Sequence, residues 1–162
     1  MIPLLAQPGD FFVVRTHGLA AQVIRAATRS AYNHAGIYLP DGMCVEAAPE
    51  GARYASADYG NDAILVSHIL LSDLQRKMVC EAAKSFIGTP YGWVNIASVG
   101  ALQYGLHPYF LRNYVEHTKE LICSQLVDEA YWRAGIHLFQ NENPERTPMD
   151  VTPGDLARLI RR

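Results

Sequence analysis

The chain has 162 residues, a length that predicts one domain spanning residues 1–162, and its 49% hydrophobic and 19% charged residues are typical of a globular protein. Its 14 basic and 16 acidic residues give a formal net charge of −2, and the sequence contains no long basic run or stripe. The charge pattern of a nucleic-acid-binding protein is therefore missing, so we expect no nucleic-acid partner.

The first half of the chain predicts strands around a single helix. Strands are expected over 11–15, 33–39, 43–48 and 63–70, where β-prone residues are bounded by turn signals. Residues 18–29 have helical spacing, and their apolar stripe consists of Leu19, Val23, Ile24 and Ala27. Residues 50–62 are rich in Gly, Ala, Ser and Asp, and this composition predicts a loop.

The second half predicts mainly helices. Ser72 is placed to cap a helix that reaches about Phe86, and residues 94–104 have a helical pattern. The clearest helix is 120–134, whose stripe consists of Ile122, Leu126, Val127, Ala130, Tyr131 and Ala134. After a loop, Pro153 begins a short last helix. Strands followed by helices predict the α+β class, with an antiparallel sheet packed against helices.

The turn between the second and third predicted strands decides how they pair. Pro40-Asp41-Gly42 fits a three-residue hairpin loop, in which a type I turn is followed by a left-handed glycine. That loop pairs residue 39 with 43, and hence 38 with 44 and 36 with 46. One face of the hairpin is then wholly apolar. A two-residue Asp-Gly turn would instead put Glu46 beside Ile37, so we reject it.

The other face of this hairpin carries polar side chains. In the favoured register Glu46 lies across from Gly36 and diagonal to His34, at about 7–8 Å between backbones, a gap that long side chains bridge. A carboxylate on an imidazole holds its tautomer and supports the imidazolium. The same pattern also fits two polar residues on a solvent-facing sheet surface, so both interpretations stay open at this point.

Of the three cysteines, one is a candidate reactive thiol and the other two are not. Three cysteines without a C-x-x-C pair argue against a disulfide framework and against structural zinc. Cys123 lies near the start of the 120–134 helix, where backbone N–H groups and the helix dipole favour a thiolate, although a buried structural cysteine fits the position too. Cys44 and Cys80 are expected to pack. Together with a histidine and a carboxylate, Cys123 would complete a thiol hydrolase site.

Five segments, taken together, carry a resemblance to a known family. In chain order they are PGDFFVVR, SAYNHAGIYLPDGMCVEAAPEG, IGTPYGW, LICSQLVDEAYWRAG and VTPGDLARL. They resemble the opening strand, the His segment, the segment ahead of the nucleophile, the nucleophile helix and the C-terminal piece of the circularly permuted NlpC-type (YiiX-like) papain-fold cysteine peptidases and amidases. The segments occur in the family's order and cover most of the chain.

The resemblance implies a papain-like fold in which the histidine and the acid precede the cysteine in the sequence. Carried over by position, Cys123 is the nucleophile, His34 the general base and Glu46 the third polar residue. Tyr91 matches the tyrosine that lines the site near the thiol. The family's activity implies cleavage of an amide bond, with a cell-wall peptide as the first candidate substrate, and no cofactor.

Aromatic and basic side chains near these segments are candidates for the substrate cleft. We expect Tyr38 and Trp93 to contact substrate beside Tyr91, and Tyr54 and Tyr59 to form the cleft wall, although each also fits a packing role. Arg53 is either a group that binds a substrate carboxylate or a solvated side chain. The six histidines show no i, i+4 pair and no H-E-x-x-H motif, so we expect no metal.

Partners and compartment follow from what the sequence contains. We expect a peptide or another small amide-containing substrate, such as a muropeptide. The N-terminus lacks a basic region ahead of an apolar stretch, which predicts a cytoplasmic protein or export by a route other than a standard leader. No apolar run approaches about 20 residues, so no stable membrane insertion is expected. Two alternatives stay open: a lipid acyltransferase or thioesterase that uses residues 94–111 at a membrane, and an inactive binding module. The oligomeric state and the role of 94–117 are not predicted.

Overall fold

The computed structural model describes residues 6–60, 62–103, 105, 120–144 and 146–161. Its strands are β1 (Phe11–Arg15), β2 (His34–Tyr38), β3 (Met43–Ala48), β4 (Gly51–Ser56) and β5 (Ala63–Val66). Its helices are α1 (Leu19–Thr28), α2 (Asp73–Lys84), α3 (Trp93–Gln103), α4 (Cys123–Arg133) and α5 (Pro153–Ile160). The predicted α+β class is confirmed.

The strands form one antiparallel sheet in the order β4-β3-β2-β1-β5. The predicted hairpin register is confirmed, because Gly36 pairs with Glu46 and Tyr38 with Cys44. Gly42 has the left-handed φ of 72° that the three-residue loop requires.

Strand β4 was not predicted, and the loop expected over 50–62 is wrong for Gly51–Ser56. Glycine, alanine and serine have weak strand propensity, but all six residues pair with β3, and this tertiary pairing overrides local preference. The far edge of β4 is covered as well. The amide of Ala52 donates to the carbonyl of Thr89, and the amide of Gly88 donates to the carbonyl of Ala52. The chain from 88 to 92 is therefore fixed beside the sheet.

The two faces of the sheet are both covered. The predicted apolar face packs on α2 and α4, and it contributes Ala35, Ile37, Val45 and Ala47 to the main core. The opposite face forms a second buried cluster, which contains Phe12, Val14, Tyr38, Cys44, Ala57 and Val66. The polar residues of the hairpin therefore lie next to a small apolar cluster rather than on a wet sheet surface.

The helices agree with their sequence signals, with one exception. The predicted stripe of 120–134 is buried along its length, and Ser72 caps α2 in a reciprocal capping box with Gln75. In α1, however, Leu19 and Val23 are 81% and 61% exposed, while Ala21 is buried. Ile24 and Ala27 of the predicted stripe pack against the main core, so half of that stripe faces inward. Among the described residues, no helix combines the length and apolarity that crossing a membrane requires.

Candidate active site

The start of α4 is held by a buried glutamine. Oε1 of Gln125 accepts from the amide of Ile122 at 3.1 Å, and its Nε2 donates to the carbonyl of Met149 at 2.8 Å. The hydroxyl of Ser124 donates to the carbonyl of Val151 at 2.7 Å. The amide of Ile122, the residue just before the helix, is thus satisfied by the side chain of Gln125 three residues later. This contact holds the first turn of α4 in place. Cys123 is the first residue of that turn.

The segment 90–92, just ahead of α3, is hydrogen-bonded to the residues that precede α4. Tyr91 forms a parallel bridge with Leu121, and amide-to-carbonyl bonds of 3.1 Å run from Gly92 to Leu121 and from Leu121 to Pro90. Nδ2 of Asn95 adds a 3.0 Å bond to Oε1 of Gln125. Tyr91 is thereby placed beside the thiol, and burial, with a smaller contribution from the charge of Cys123, raises the pKa of Tyr91.

The thiol of Cys123 lies against the first strand of the hairpin. Its side chain is 2% exposed, and Sγ lies 3.9 Å from the carbonyl oxygen of Asn33, to which it donates a weak hydrogen bond. The thiol also interacts with the imidazole of His34, and this interaction raises the pKa of that ring. The side chain of Asn33 is itself fixed, since its Oδ1 accepts from the amide of Thr16 and from Arg25 of α1. The structure thus brings the predicted nucleophile and the predicted base together.

The imidazole of His34 lies between the thiol and a carboxylate. Its Nε2 is 2.8 Å from Oε2 of Glu46, so Nδ1 is the nitrogen that remains for Cys123. Burial by itself lowers the pKa of His34, but the interactions with Cys123 and Glu46 outweigh it and raise that pKa to about 10. At neutral pH the ring is therefore an imidazolium, and its Nε2 donates to Glu46.

The carboxylate of Glu46 is only 4% exposed and has four hydrogen-bond donors. Oε2 accepts from His34 and from the hydroxyl of Tyr59, and Oε1 accepts from Nε and Nη2 of Arg53 at 2.9 and 2.8 Å. Burial alone raises the pKa of Glu46, but the bonds from His34, Tyr59 and Arg53 lower it to about 2. Glu46 is therefore an anion across the physiological range.

Arg53 and Tyr59 were not predicted as partners of Glu46. Arg53 pairs with Glu46 in the β3–β4 register, so its guanidinium reaches a carboxylate of this same chain. The signal was present, since a two-residue Pro49-Glu50 turn pairs residue 48 with 51 and hence 46 with 53. Tyr59 lies beyond β4 in irregular chain, where spacing carries no such information. Its ring centroid is 6.0 Å from that of His34.

The predicted substrate contacts occupy different environments. Tyr91 is buried beside the thiol, and Trp93 is 50% exposed, with its ring 5.0 Å from that of Tyr91 in an edge contact. Tyr38 is buried in the second apolar cluster, with its ring 4.9 Å from that of Phe12. A substrate would reach Tyr38 only if this face of the sheet opened. Of these aromatic side chains, Trp93 is accessible to a substrate, and Tyr91 is buried beside Cys123.

Comparisons with known proteins show a likeness of fold. No protein family model matches the sequence, and no curated protein matches it. Among solved structures, the fold is similar to that of the metalloprotein YiiX from Escherichia coli O157:H7, with a TM-score of 0.58 and 19% sequence identity over 82% of this chain and 69% of that one. The predicted likeness to YiiX is thereby confirmed: the chain has a YiiX-like α+β fold.

The residues gathered here do not fit a metal ion, although YiiX is described as a metalloprotein. Within the described ranges, His, Cys, Asp and Glu side chains form no group of three or more that could hold one. In the candidate site both oxygens of Glu46 are already taken by donors, and one of these donors is the cationic Arg53. A guanidinium on the carboxylate repels a second cation, so no step of the chemistry below passes through a metal.

Proposed function

We propose that this chain is a cysteine hydrolase that cleaves an amide bond through a thioester intermediate on Cys123. His34 is the general base and acid, and Glu46 orients it. The observation that carries the proposal is the position of His34, which is hydrogen-bonded to Glu46 and interacts with Cys123, the first residue of a helix. A nucleophile, a base and an orienting group in that order are what thiol catalysis requires.

The arrangement also supports a papain-like site in permuted order. In such a site a thiol at a helix start faces an imidazole on a strand, and here the strand with His34 precedes the helix with Cys123 in the sequence. The YiiX-like fold supports the same assignment. We therefore propose that residues 1–162 act as one catalytic domain of this type.

The chemistry follows from the two nitrogens of His34. With Nε2 bonded to Glu46, Nδ1 holds the proton of the Cys123 thiol, and the thiolate attacks the amide carbonyl carbon. The first-turn N–H groups of α4, which have no partner within the helix, stabilise the oxyanion. Nδ1 then gives its proton to the leaving amine, the C–N bond breaks, and a thioester remains on Cys123.

The second half of the reaction uses His34 as a base. Nδ1, now unprotonated, takes a proton from water, and the resulting hydroxide attacks the thioester carbonyl carbon. The C–S bond breaks, the carboxylic acid product leaves, and the proton on Nδ1 again balances the thiolate of Cys123. Removing one oxyanion donor from such a site typically slows it by about 10²–10³-fold.

We propose a peptide amide as the substrate, with muropeptides as the first to be tried. The half-exposed indole of Trp93 beside Tyr91 offers an aromatic wall along the approach to the thiol. The pair suits a substrate with an apolar or methyl-bearing segment next to the scissile bond.

The test is a comparison of two cysteine variants on three substrate classes. Muropeptides, a phospholipid and an acyl thioester are incubated with the wild type, with Cys123→Ala and with Cys80→Ala, which removes another buried thiol. We expect the wild type and Cys80→Ala to release a new amine and a new carboxylate from the muropeptides, and Cys123→Ala to release neither. Cleavage by Cys123→Ala would overturn the assignment. Turnover of the phospholipid or thioester alone would replace the amidase with an acyltransferase or thioesterase.

A further inference from the structure

The carboxylate of Glu46 is hydrogen-bonded to two cationic groups, one whose charge changes during the proposed reaction and one whose charge is permanent. On one side His34 donates through Nε2, and its charge changes during the proposed reaction. On the other side Arg53 donates twice to Oε1, and a guanidinium keeps its charge at every accessible pH. Tyr59 adds a neutral donor to Oε2. Glu46 therefore has one variable and one permanent cationic partner.

The two partners matter at different stages. In the resting site His34 is an imidazolium, and its hydrogen bond and its charge are the largest of the contributions that keep Glu46 ionised. When the leaving group takes the proton from Nδ1, His34 becomes neutral and the thiolate charge disappears into the thioester. The carboxylate of Glu46 is then a buried anion whose remaining charged partner among the described contacts is Arg53. Without Arg53, Glu46 would keep only the neutral donors Tyr59 and His34, which is costly for a buried charge, so the carboxylate would take up a proton.

That proton would give His34 the wrong tautomer. A protonated Glu46 donates to Nε2 instead of accepting from it, which moves the ring proton to Nδ1. An Nδ1 that carries a hydrogen cannot take a proton from the hydrolytic water. The thioester would then persist, because water attack needs the unprotonated Nδ1.

We propose that Arg53 is a positioning residue for the hydrolysis of the thioester, which it supports by keeping Glu46 ionised after His34 has lost its charge. The inference rests on the proposed function and adds a role for the second half of the reaction. The register places Arg53 directly across from Glu46, and the side chain is half exposed, so it holds the carboxylate from the solvent side without entering the site.

The test separates formation of the acyl-enzyme from its breakdown. The probe is p-nitrophenyl acetate, whose nitrophenolate leaves without needing a proton. A burst of nitrophenolate measures acetylation of Cys123, and the later steady rate measures hydrolysis of the thioester. The acetyl group is located on the protein by mass spectrometry. Variants are compared at pH 7, and thermal unfolding confirms that each one folds.

We expect Arg53→Gln to keep the burst rate within about threefold of the wild type and to lose at least tenfold in the steady rate, so that acetylated Cys123 accumulates. Arg53→Lys retains the charge but not the fork of two bonds, and it should recover part of the steady rate. Glu50→Gln removes the exposed carboxylate that contacts Arg53 on its outer side, and it should match the wild type.

Several outcomes would overturn the inference, and they differ from a failure of the proposed function. If Arg53→Gln slows the burst and the steady rate equally, Arg53 is structural and not specific to hydrolysis of the thioester. If Arg53→Gln does not fold, Arg53→Lys decides in the same way, since the proposal requires a loss in the steady rate alone. If the wild type shows no burst and no acetylation of Cys123, the proposal that this chain is a cysteine hydrolase is wrong.

Discussion

Nε2 of His34 lies 2.8 Å from Oε2 of Glu46, and the two residues are diagonal neighbours across the β2–β3 pair. The bond is direct because both side chains extend on the same face of the sheet, above Gly36. It leaves Nδ1 of the imidazole for Cys123. In the proposed reaction, this contact therefore determines which nitrogen performs the proton transfers.

Glu46→Gln should lower the turnover number by a factor between about 10 and 10⁴, and less severely than Cys123→Ala. An amide keeps the shape of the side chain but loses the charge that stabilises the imidazolium. The pKa of His34 should accordingly fall from about 10 toward its ordinary value of 6.5. Steady-state kinetics gives the first quantity, and an NMR titration of the His34 ring protons gives the second. Equal activity in the wild type and Glu46→Gln would make Glu46 a spectator.

The same pair makes stability depend on pH in two directions. The pKa of Glu46 is lowered from 4.5 to about 2, so its contribution is present above pH 4.5 and is lost as pH falls toward 2. The pKa of His34 is raised from 6.5 to about 10, so its contribution is present below pH 6.5 and is lost as pH rises toward 10. The advantage of the wild type over Glu46→Gln in free energy of unfolding should therefore be largest between about pH 4.5 and 6.5.

Urea unfolding of both proteins from pH 3 to pH 9 measures that difference. Glu50→Gln is the matched control, because it removes an exposed carboxylate near the same arginine, and its difference from the wild type should stay small at every pH. A difference between the wild type and Glu46→Gln that does not vary with pH would contradict the linked titration.

The hairpin, and with it the contact of Glu46 with His34, was predictable because its turn has a local chemical signature. Pro40-Asp41-Gly42 specifies a loop length, the loop length specifies the register, and the register puts Glu46 diagonal to His34. Period-2 alternation then separates the apolar face from the polar one. Cys123 was recognisable from the helical spacing that follows it.

The rest of the site depends on pairing and packing beyond this hairpin. Strand β4 has weak strand propensity, so composition predicts a loop there, although the length of the Pro49-Glu50 turn places Arg53 opposite Glu46 once β4 is taken as a strand. Tyr59 and the buried Gln125 act through contacts set by tertiary packing. No role was predicted for residues 94–117, and most of them lie outside the described residues. Part of the segment 94–111, on which the acyltransferase alternative depends, lies outside them as well.

Gly36→Ala should destabilise the protein by about 1–3 kcal/mol. The ring of Phe12 fills the space over Gly36. A Cβ on Gly36 would lie 2.6 Å from Cζ of Phe12 and 2.9 Å from the carbonyl oxygen of Val45. Denaturant unfolding measures the loss. Adding Phe12→Leu to Gly36→Ala should recover part of it, and a failure to recover would place the strain at the Val45 carbonyl.

Asp128→Asn should stabilise the protein at high pH. Asp128 is buried on α4, and its pKa is raised from 3.8 to about 7 mainly by burial, with Arg146 opposing the rise and the charges of Glu129 and Asp155 adding to it. Because the folded state holds this proton more tightly than the unfolded state, stability falls as pH rises from about 3.8 to 7. Asparagine keeps the shape and cannot ionise.

The variant should therefore exceed the wild type by about 1–3 kcal/mol in free energy of unfolding at pH 8, and the gap should close toward pH 4. Urea unfolding at the two pH values measures both quantities. Activity should be unchanged at pH 6, because Asp128 lies more than one helical turn after Cys123 and contacts neither His34 nor Glu46 among the described hydrogen bonds. A gap of equal size at pH 4 and pH 8 would mean that the carboxyl of Asp128 does not titrate in this range, and that the amide gains its stability from a new hydrogen bond instead.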